Sequence, residues 1–323
     1  NINGKKIGKD YFTPGFTSYH NQMQYQIYDI TDNLSGKDIL TATVCGGWAV
    51  GKFTHSLRNR IFAKKQAFLC EIRVEYTDGT TAVIGTDNTW LVTREGSVRE
   101  ADFYDGEVYD ARVDLNESSW IDAGIEKVKF NPVLRVTYGD LVRAHEEFKP
   151  IEITTLDDGT LIYDFGQNFA GVIKASFSNC KKDQKIIFRH AEILMDGKLF
   201  TKPLRSAKAE LTYICNGNKK QEYSPSFTFM GFRYVSVEGI KQKDLKLSAL
   251  ALYSDIKRTG TFNCSNELLN QLQSNIVWST KSNFVDIPMD CPQRDERMGW
   301  TGDIALFSAT ASFNFDTSRF YNK

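Results

Sequence analysis

The clearest structural signal in the sequence is the stretch Phe68-Leu69-Cys70-Glu71-Ile72-Arg73-Val74-Glu75-Tyr76, residues 68–76. Apolar and charged side chains alternate along it, which is typical of an antiparallel strand with one buried and one solvated face. Residues 77–80 then read Thr-Asp-Gly-Thr. A glycine in that position favours a tight hairpin turn, because glycine adopts positive φ at little cost. The stretch therefore predicts a β-hairpin that returns through residues 82–84.

Short apolar segments separated by turn signals continue to about residue 255. Asp157-Asp158-Gly159 precedes the apolar segment 161–163, and another apolar segment follows at 171–173. Many short strands joined by turns are typical of β-sandwiches or barrels rather than of alternating strands and helices. The polar segment 143–150 ends at a proline and divides this region. We therefore predict a mainly β protein with two antiparallel β-sandwich domains, over residues 1–145 and 146–256.

The composition excludes several classes of function. The chain has 323 residues, with 40 Lys and Arg against 40 Asp and Glu, so its formal net charge is zero. It therefore lacks the excess positive charge of a nucleic-acid binder, and no apolar run approaches the ~20 residues that cross a bilayer. The six cysteines are at least 25 residues apart, which is no zinc-binding spacing. We expect no nucleic acid, membrane, metal or cofactor, and the sequence assigns neither compartment nor oligomeric state.

The pattern becomes helical after Gly260. Ser265 can cap a helix, and the apolar residues that follow at helical spacing are Leu268, Leu269, Leu272 and Ile276. A second helix is predicted over 304–313, and a third begins near Asp316. Roughly 65 residues are too few for a helical domain with a sizeable core of its own. We therefore expect residues 257–323 to be the incomplete beginning of a larger helical domain.

A polar segment lies between the first two predicted helices, and it reads Asp290-Cys291-Pro292-Gln293-Arg294-Asp295-Glu296-Arg297-Met298-Gly299-Trp300-Thr301-Gly302-Asp303. A solvated charged loop is one interpretation of it. The other is a sugar site, because carboxylates and guanidinium groups bind hydroxyls and an aromatic ring stacks on a pyranose. Acid hydrolysis of a glycoside also needs a carboxylic acid beside the leaving oxygen.

This segment, which we call the acidic motif, resembles without gaps the signature of family 78 of the glycoside hydrolases, the inverting α-L-rhamnosidases. The likeness extends over the whole chain: residues 46–48 resemble the family's N-terminal sandwich, and 163–168 and 227–234 resemble its second sandwich. The resemblance implies that an (α/α)6 catalytic barrel begins at residue 257. It also implies a bacterial enzyme that releases terminal α-L-rhamnose from an oligosaccharide or glycoside.

The resemblance assigns roles to five residues of the acidic motif. Glu296 corresponds to the general acid, and the residues that correspond to ligands of the rhamnose are Asp290, Arg294, Trp300 and Asp303. The family's general base lies far along the barrel and has no counterpart here, so we expect this chain alone to be inactive. The alternative is a non-catalytic carbohydrate-binding or scaffolding β-sandwich module. An acidic pocket residue in polypeptide beyond Lys323 would discriminate between the two, and the sequence does not identify the rhamnoside or its aglycone.

Overall fold

The computed structural model describes residues 1–55, 58–126 and 131–323, and it is mainly β. The strands are β1 (Gln22–Tyr25), β2 (Glu71–Glu75), β3 (Thr81–Gly85), β4 (Leu91–Val92), β5 (Val98–Asp102), β6 (Gly106–Asp110), β7 (Ile121–Asp122), β8 (Val133–Val136), β9 (Val142–Phe148), β10 (Glu152–Thr155), β11 (Leu161–Ser178), β12 (Lys185–Ala191), β13 (Leu194–Met195), β14 (Lys198–Leu199), β15 (Glu210–Ile214), β16 (Lys220–Tyr223), β17 (Met230–Glu238), β18 (Leu245–Ser254), β19 (Phe284–Val285) and β20 (Ile287–Pro288). The helices are α1 (Gly47–Val50), α2 (Glu267–Asn283), α3 (Thr301–Asn314) and α4 (Ser318–Tyr321), with 3-10 turns at Thr31–Asn33, Lys202–Leu204 and Gln242–Asp244.

A ten-stranded sheet forms the centre of the molecule. Its strand order is β5-β6-β15-β12-β17-β11-β18-β9, and β10 and β16 also pair with β11. The long strand β11 is apolar over much of its length, and its residues Val172, Ile173 and Ala175 are fully buried. A strand covered on both faces has this near-continuous apolar character. The mainly β class predicted from the sequence is confirmed.

The predicted hairpin is present in the N-terminal region. β2 pairs with β3 in antiparallel register, from Glu71 opposite Gly85 to Glu75 opposite Thr81. Ile72 and Val74 are half-buried while the charged face of β2 is exposed, as the alternation predicts. Phe68 and Tyr76 lie outside the strand and are exposed. The alternation therefore identifies the strand correctly but overestimates its length.

Two parts of the predicted first domain are strands of the central sheet. β6 pairs in parallel with β15, so the β5–β6 hairpin extends the sheet at one end. β9 pairs with β18 at the other end. The polar segment that starts at Arg143 is thus mostly a strand, because an edge strand tolerates polar side chains on its solvated side. The two-domain division at 145 and 256 stays a prediction.

The helices follow the strands, as predicted. α2 begins one residue later than expected, because Asn266 and not Ser265 is the N-cap, and its side chain accepts hydrogen bonds from the N–H groups of Leu268 and Leu269. Helix α2 packs on the central sheet, with the ring of Trp278 edge-on to Phe148. Its leucines are nevertheless exposed. No helix within residues 1–55, 58–126 and 131–323 has the length and apolar character needed to span a bilayer.

Candidate active site

The acidic motif forms a closed loop between β20 and α3. The N–H of Asp290 donates to the carbonyl of Met298 at 3.0 Å, and the N–H of Met298 donates to Asp290 Oδ1 at 2.9 Å. The loop lies directly on β17 at Gly231, where a Cβ would stand 2.8 Å from Cγ of Pro292. Only glycine permits this close approach, so the sequence of β17 helps to place the loop.

Arg297 anchors the loop to the sheet. Its side chain is buried, and its Nη1 donates to the carbonyls of Phe103 at 2.6 Å and Phe229 at 2.7 Å. Nε and Nη2 donate to the carbonyls of Arg294 and Gln293 within the loop itself. Burial lowers the pKa of Arg297 to about 10, so the guanidinium remains charged at neutral pH. It thereby joins the loop to the β5–β6 connection and to the start of β17.

Glu296 is the centre of a polar network on the other side of the loop. Its Oε2 accepts hydrogen bonds from Arg205 Nη1 at 3.0 Å and Arg294 Nε at 3.1 Å, and its Oε1 accepts from Trp300 Nε1 at 3.1 Å. Arg294 also donates to Asp290 Oδ2 at 3.3 Å. The structure therefore brings four of the five predicted site residues into one network.

Glu296 is held in its ionised form by this network. Burial raises the pKa of Glu296, but the Arg294 guanidinium, the hydrogen bond from Trp300 and the charge of Arg205 outweigh it and hold the pKa below its usual range. A general acid must carry its proton near the working pH. The chain as it stands thus presents the predicted acid as a carboxylate clamped by two arginines.

The fifth predicted residue lies outside the network. Asp303 is exposed in the first turn of α3, where a negative charge is favourable beside the helix N-terminus. Within the described residues it makes no hydrogen bond or ion pair. Trp300, which precedes α3, is 41% exposed and presents its ring to solvent. The role predicted for Asp303 stays a prediction.

Sequence analysis missed two residues that contact the motif from elsewhere in the chain. Arg205 pairs with Glu296, and Ser206 Oγ donates to Oδ2 of the buried Asp295. Both lie between the 3-10 turn at 202–204 and β15, and their partners are 91 and 89 residues later. No local pattern in the sequence indicates such a pairing, because it depends on how two distant segments are brought together.

Three possible metal ligands meet in the motif, since oxygens of Asp290 and Glu296 and the sulfur of Cys291 lie within 4.8 Å of one another. The guanidinium of Arg294 already provides the positive charge between the two carboxylates. Burial raises the pKa of Cys291 to about 12, so its thiol is protonated and a poor ligand. We assign no metal to this cluster.

Part of the motif is open to solvent, since Trp300 and Asp303 are exposed. A cleft of about 430 Å³ lies elsewhere, between the N-terminal segment, the β8–β9 connection and α4, and it is lined by residues such as Tyr28, Arg143 and Arg319. None of its lining residues belongs to the acidic motif. The cleft is therefore separate from the network around Glu296.

A mainly β region followed by helices, with a carboxylate–arginine–tryptophan network between them, fits the class of glycoside hydrolases that the acidic motif resembles. Comparison with known families agrees. The α-L-rhamnosidase N-terminal domain matches residues 1–155, the bacterial α-L-rhamnosidase concanavalin-like domain matches 154–253, and the bacterial α-L-rhamnosidase six-hairpin glycosidase domain matches 257–323. The chain belongs to the bacterial α-L-rhamnosidase family.

Individual relatives match along the whole chain. An α-L-rhamnosidase of Formosa agariphila is 36% identical over an alignment of 336 positions, which covers 99% of this chain and 36% of the relative. The crystal structure of Streptomyces avermitilis α-L-rhamnosidase complexed with L-rhamnose has a TM-score of 0.92 at 32% identity, over 99% of this chain and 32% of that one. The native Aspergillus terreus enzyme has a TM-score of 0.88 at 34% identity, over 99% and 38%. The chain thus spans about a third of the length of these relatives.

Proposed function

We propose that the whole protein is an inverting glycoside hydrolase that releases terminal α-L-rhamnose, and that this chain supplies its general acid, Glu296, and part of its sugar site. The observation that carries the proposal is the network of Glu296 with Arg294, Asp290 and Trp300 in a loop anchored by Arg297. A similar chain that has been solved with L-rhamnose supports the choice of sugar.

The network has the chemistry that a deoxysugar requires. Arg294 offers forked N–H donors and Asp290 offers acceptors for ring hydroxyls, while the exposed face of Trp300 can stack on the apolar face of the pyranose. We propose Asp303, at the exposed start of α3, as a further hydroxyl acceptor. Because Glu296 belongs to the same loop, a sugar held by these groups would lie in a fixed position relative to the acid.

The general base is proposed to come from outside this chain. An inverting pair needs its carboxyl groups ~6.5–9.5 Å apart to admit a water molecule. Asp290 is too close, since its oxygen lies within 4.8 Å of Glu296, and its two oxygens are bonded to the Met298 N–H and to Arg294. The exposed apolar side chains of α2 and α3, such as the 88% exposed Leu306, offer surfaces on which further helices would pack.

The test is kinetic and uses the enzyme made from the whole open reading frame. Glu296→Gln should lower turnover of an α-L-rhamnosyl disaccharide by about 10²–10⁴-fold, because a sugar leaving group needs protonation in the transition state. Turnover of an aryl rhamnoside with an acidic phenol should fall far less. Glu117→Gln, at an exposed site, is the matched control and should leave both rates unchanged.

Two outcomes of this experiment would contradict the proposal. Equal losses on both substrates would remove the acid role from Glu296. An α-anomer as the first sugar seen by NMR would contradict inversion, which releases the β-anomer first.

Residues 1–323 alone should hydrolyse neither substrate. Turnover within about tenfold of the whole enzyme would correspond to a change of only ~1.4 kcal/mol in the activation barrier, and it would mean that the general base lies in this chain. Rhamnose binding by the whole protein without hydrolysis would favour a non-catalytic module.

A further inference from the structure

Two consecutive residues of one connection reach two consecutive acidic residues of the motif. In the segment before β15, Arg205 Nη1 lies 3.0 Å from Glu296 Oε2, and Ser206 Oγ donates to Asp295 Oδ2. Arg205 Nη1 is also 3.9 Å from Asp295 Oδ1. The segment preceding β15 thus contacts the proposed acid directly, although it belongs to a different part of the sequence.

The backbone of this connection is held in place while the Arg205 side chain is accessible. Arg205 has a φ of +57°, a conformation that costs a non-glycine residue energy and persists only when its surroundings impose it. The neighbouring Leu204 and Ala207 are buried, and the N–H of Ala209 donates to the carbonyl of Tyr104 at 3.0 Å. The side chain of Arg205 is 45% exposed, so it can leave Glu296 without unpacking the segment.

We propose that Arg205 is a positioning residue, which holds the Glu296 carboxylate against Trp300 while the sugar site is empty and must withdraw before Glu296 can act as an acid. The inference rests on the proposed role of Glu296. When Arg205 withdraws, the Glu296 carboxylate forms one O–H bond with a proton from solvent hydronium, whose own O–H bond breaks to leave water. The proton then goes to the leaving oxygen when the glycosidic bond breaks.

Arg205 rather than Arg294 is the group that can withdraw. Arg294 is tied within the loop to Asp290 as well as to Glu296, and it is proposed to hold the sugar. Arg205 stands on a separate segment, and its second ion pair, from Nη1 to Asp295 Oδ1, is longer at 3.9 Å. The charged and titratable groups that face Glu296 within the described residues are therefore Arg205, Arg294, Asp290, Cys291, Asp295 and Tyr104, whose hydroxyl donates to the Glu296 carbonyl at 2.8 Å.

The test follows the Trp300 indole N–H, which donates to Glu296 Oε1 and so reports its ionisation. The 323-residue chain is titrated with acid by ¹H–¹⁵N NMR, and Trp300→Phe identifies the signal. In Arg205→Met the midpoint should move to higher pH, because one of two neighbouring positive charges is lost. Arg205→Lys should restore part of the difference. Ser206→Ala, in the same segment but without contact to Glu296, should titrate like the parent chain.

Thermal unfolding first checks that the parent chain and Arg205→Met are both folded. If the midpoints of their Trp300 indole titrations then coincide, the proposal is overturned. Arg205→Gln repeats the test if the Met variant fails to fold. In the whole enzyme, the basic limb of the kcat/KM profile should also move to higher pH in Arg205→Met. An unmoved limb with a moved indole titration would overturn the withdrawal step. Full activity of Glu296→Gln would instead sink the proposed function, while the titration would still measure the Arg205–Glu296 contact.

Discussion

Arg294 and Arg297 lie three residues apart in one loop and do opposite things. Arg297 is 2% exposed, and its N–H groups donate to four backbone carbonyls, two of them in distant segments. The side chain of Arg294 is 32% exposed and pairs with two largely buried carboxylates, those of Asp290 and Glu296. Carbonyl partners make Arg297 part of the scaffold, whereas the partly exposed guanidinium of Arg294 can offer its donors to sugar hydroxyls. The charged residues of the motif are therefore of two kinds: some anchor the loop to the sheet, and others are partly exposed to solvent.

Removing each guanidinium in turn tests the difference between Arg297 and Arg294 most directly. Arg297→Met leaves the Phe229 carbonyl without the donor that Arg297 supplies, and leaves the Phe103 carbonyl only the longer hydrogen bond from Thr228 Oγ1 at 3.4 Å. An unsatisfied buried group costs about 1–3 kcal/mol. We expect the free energy of unfolding to fall by about 3 kcal/mol or more, measured by urea denaturation. Arg294→Met should cost less, because Asp290 keeps the Met298 N–H as a donor and Glu296 keeps Arg205 and Trp300. Equal losses in the two variants would refute the division.

A second contrast compares the buried Glu107 with Glu296. Glu107 accepts hydrogen bonds from Tyr223 and from the N–H groups of Ser226 and Phe227, yet burial raises its pKa to about 7. The folded chain thus binds more protons than the unfolded chain between about pH 4.5 and 7. Stability should therefore fall as pH rises through that window, by at most about 3 kcal/mol.

Unfolding free energies at about pH 5 and about pH 7.5 check this expectation. Glu107→Gln should flatten the difference between the two pH values, because glutamine does not titrate. Glu296 acts in the opposite sense: its pKa is lowered, so its contribution is present above the usual carboxyl range and is lost as the pH falls below it. If the parent chain gained stability from pH 5 to 7.5 relative to Glu107→Gln, the raised pKa of Glu107 would be contradicted.

The smallest expected effect on folding concerns Trp300. Its side chain is presented to solvent, so Trp300→Ala should change the free energy of unfolding by no more than about 0.5 kcal/mol. In the whole protein the same change should weaken rhamnose binding, measured by calorimetry, because the stacking surface is lost. Trp48→Ala is the matched control: Trp48 is buried against Phe103, and its loss should destabilise the fold far more. A strongly destabilised Trp300→Ala chain would show that Trp300 belongs to the scaffold.

Much of the fold could be predicted from the sequence where the signal is local. The β2–β3 hairpin follows from alternation and a turn, and α3, at 301–314, was expected over 304–313. The strand character of 142–148 could not be predicted, because Arg143, Glu146 and Glu147 look like a solvated linker until β18 is seen to pair with them. The exposed leucines of α2 were also unexpected, because helical spacing shows that a face is apolar but not what covers it.

In the candidate site, too, some features could be predicted from the local sequence and others depend on distant segments. Asp290, Arg294, Glu296 and Trp300 could be proposed because the acidic motif that contains them resembles a family signature. The ionised state of Glu296 could not, because it depends partly on Arg205, which arrives from a distant segment. A motif thus predicts which groups can react, while the charge state of each group is a property of the assembled molecule.

The anchoring of Arg297 has a consequence for how the molecule is built. Its two strongest contacts join residues 194 and 68 positions apart in the chain. Closing such long loops costs chain entropy before the contacts can stabilise the fold, so we expect these contacts to form late in folding. The loop that carries Glu296 then takes its shape only after the β5–β6 hairpin and β17 have already met. A nascent or partly refolded chain would hold every residue of the motif and still lack a site.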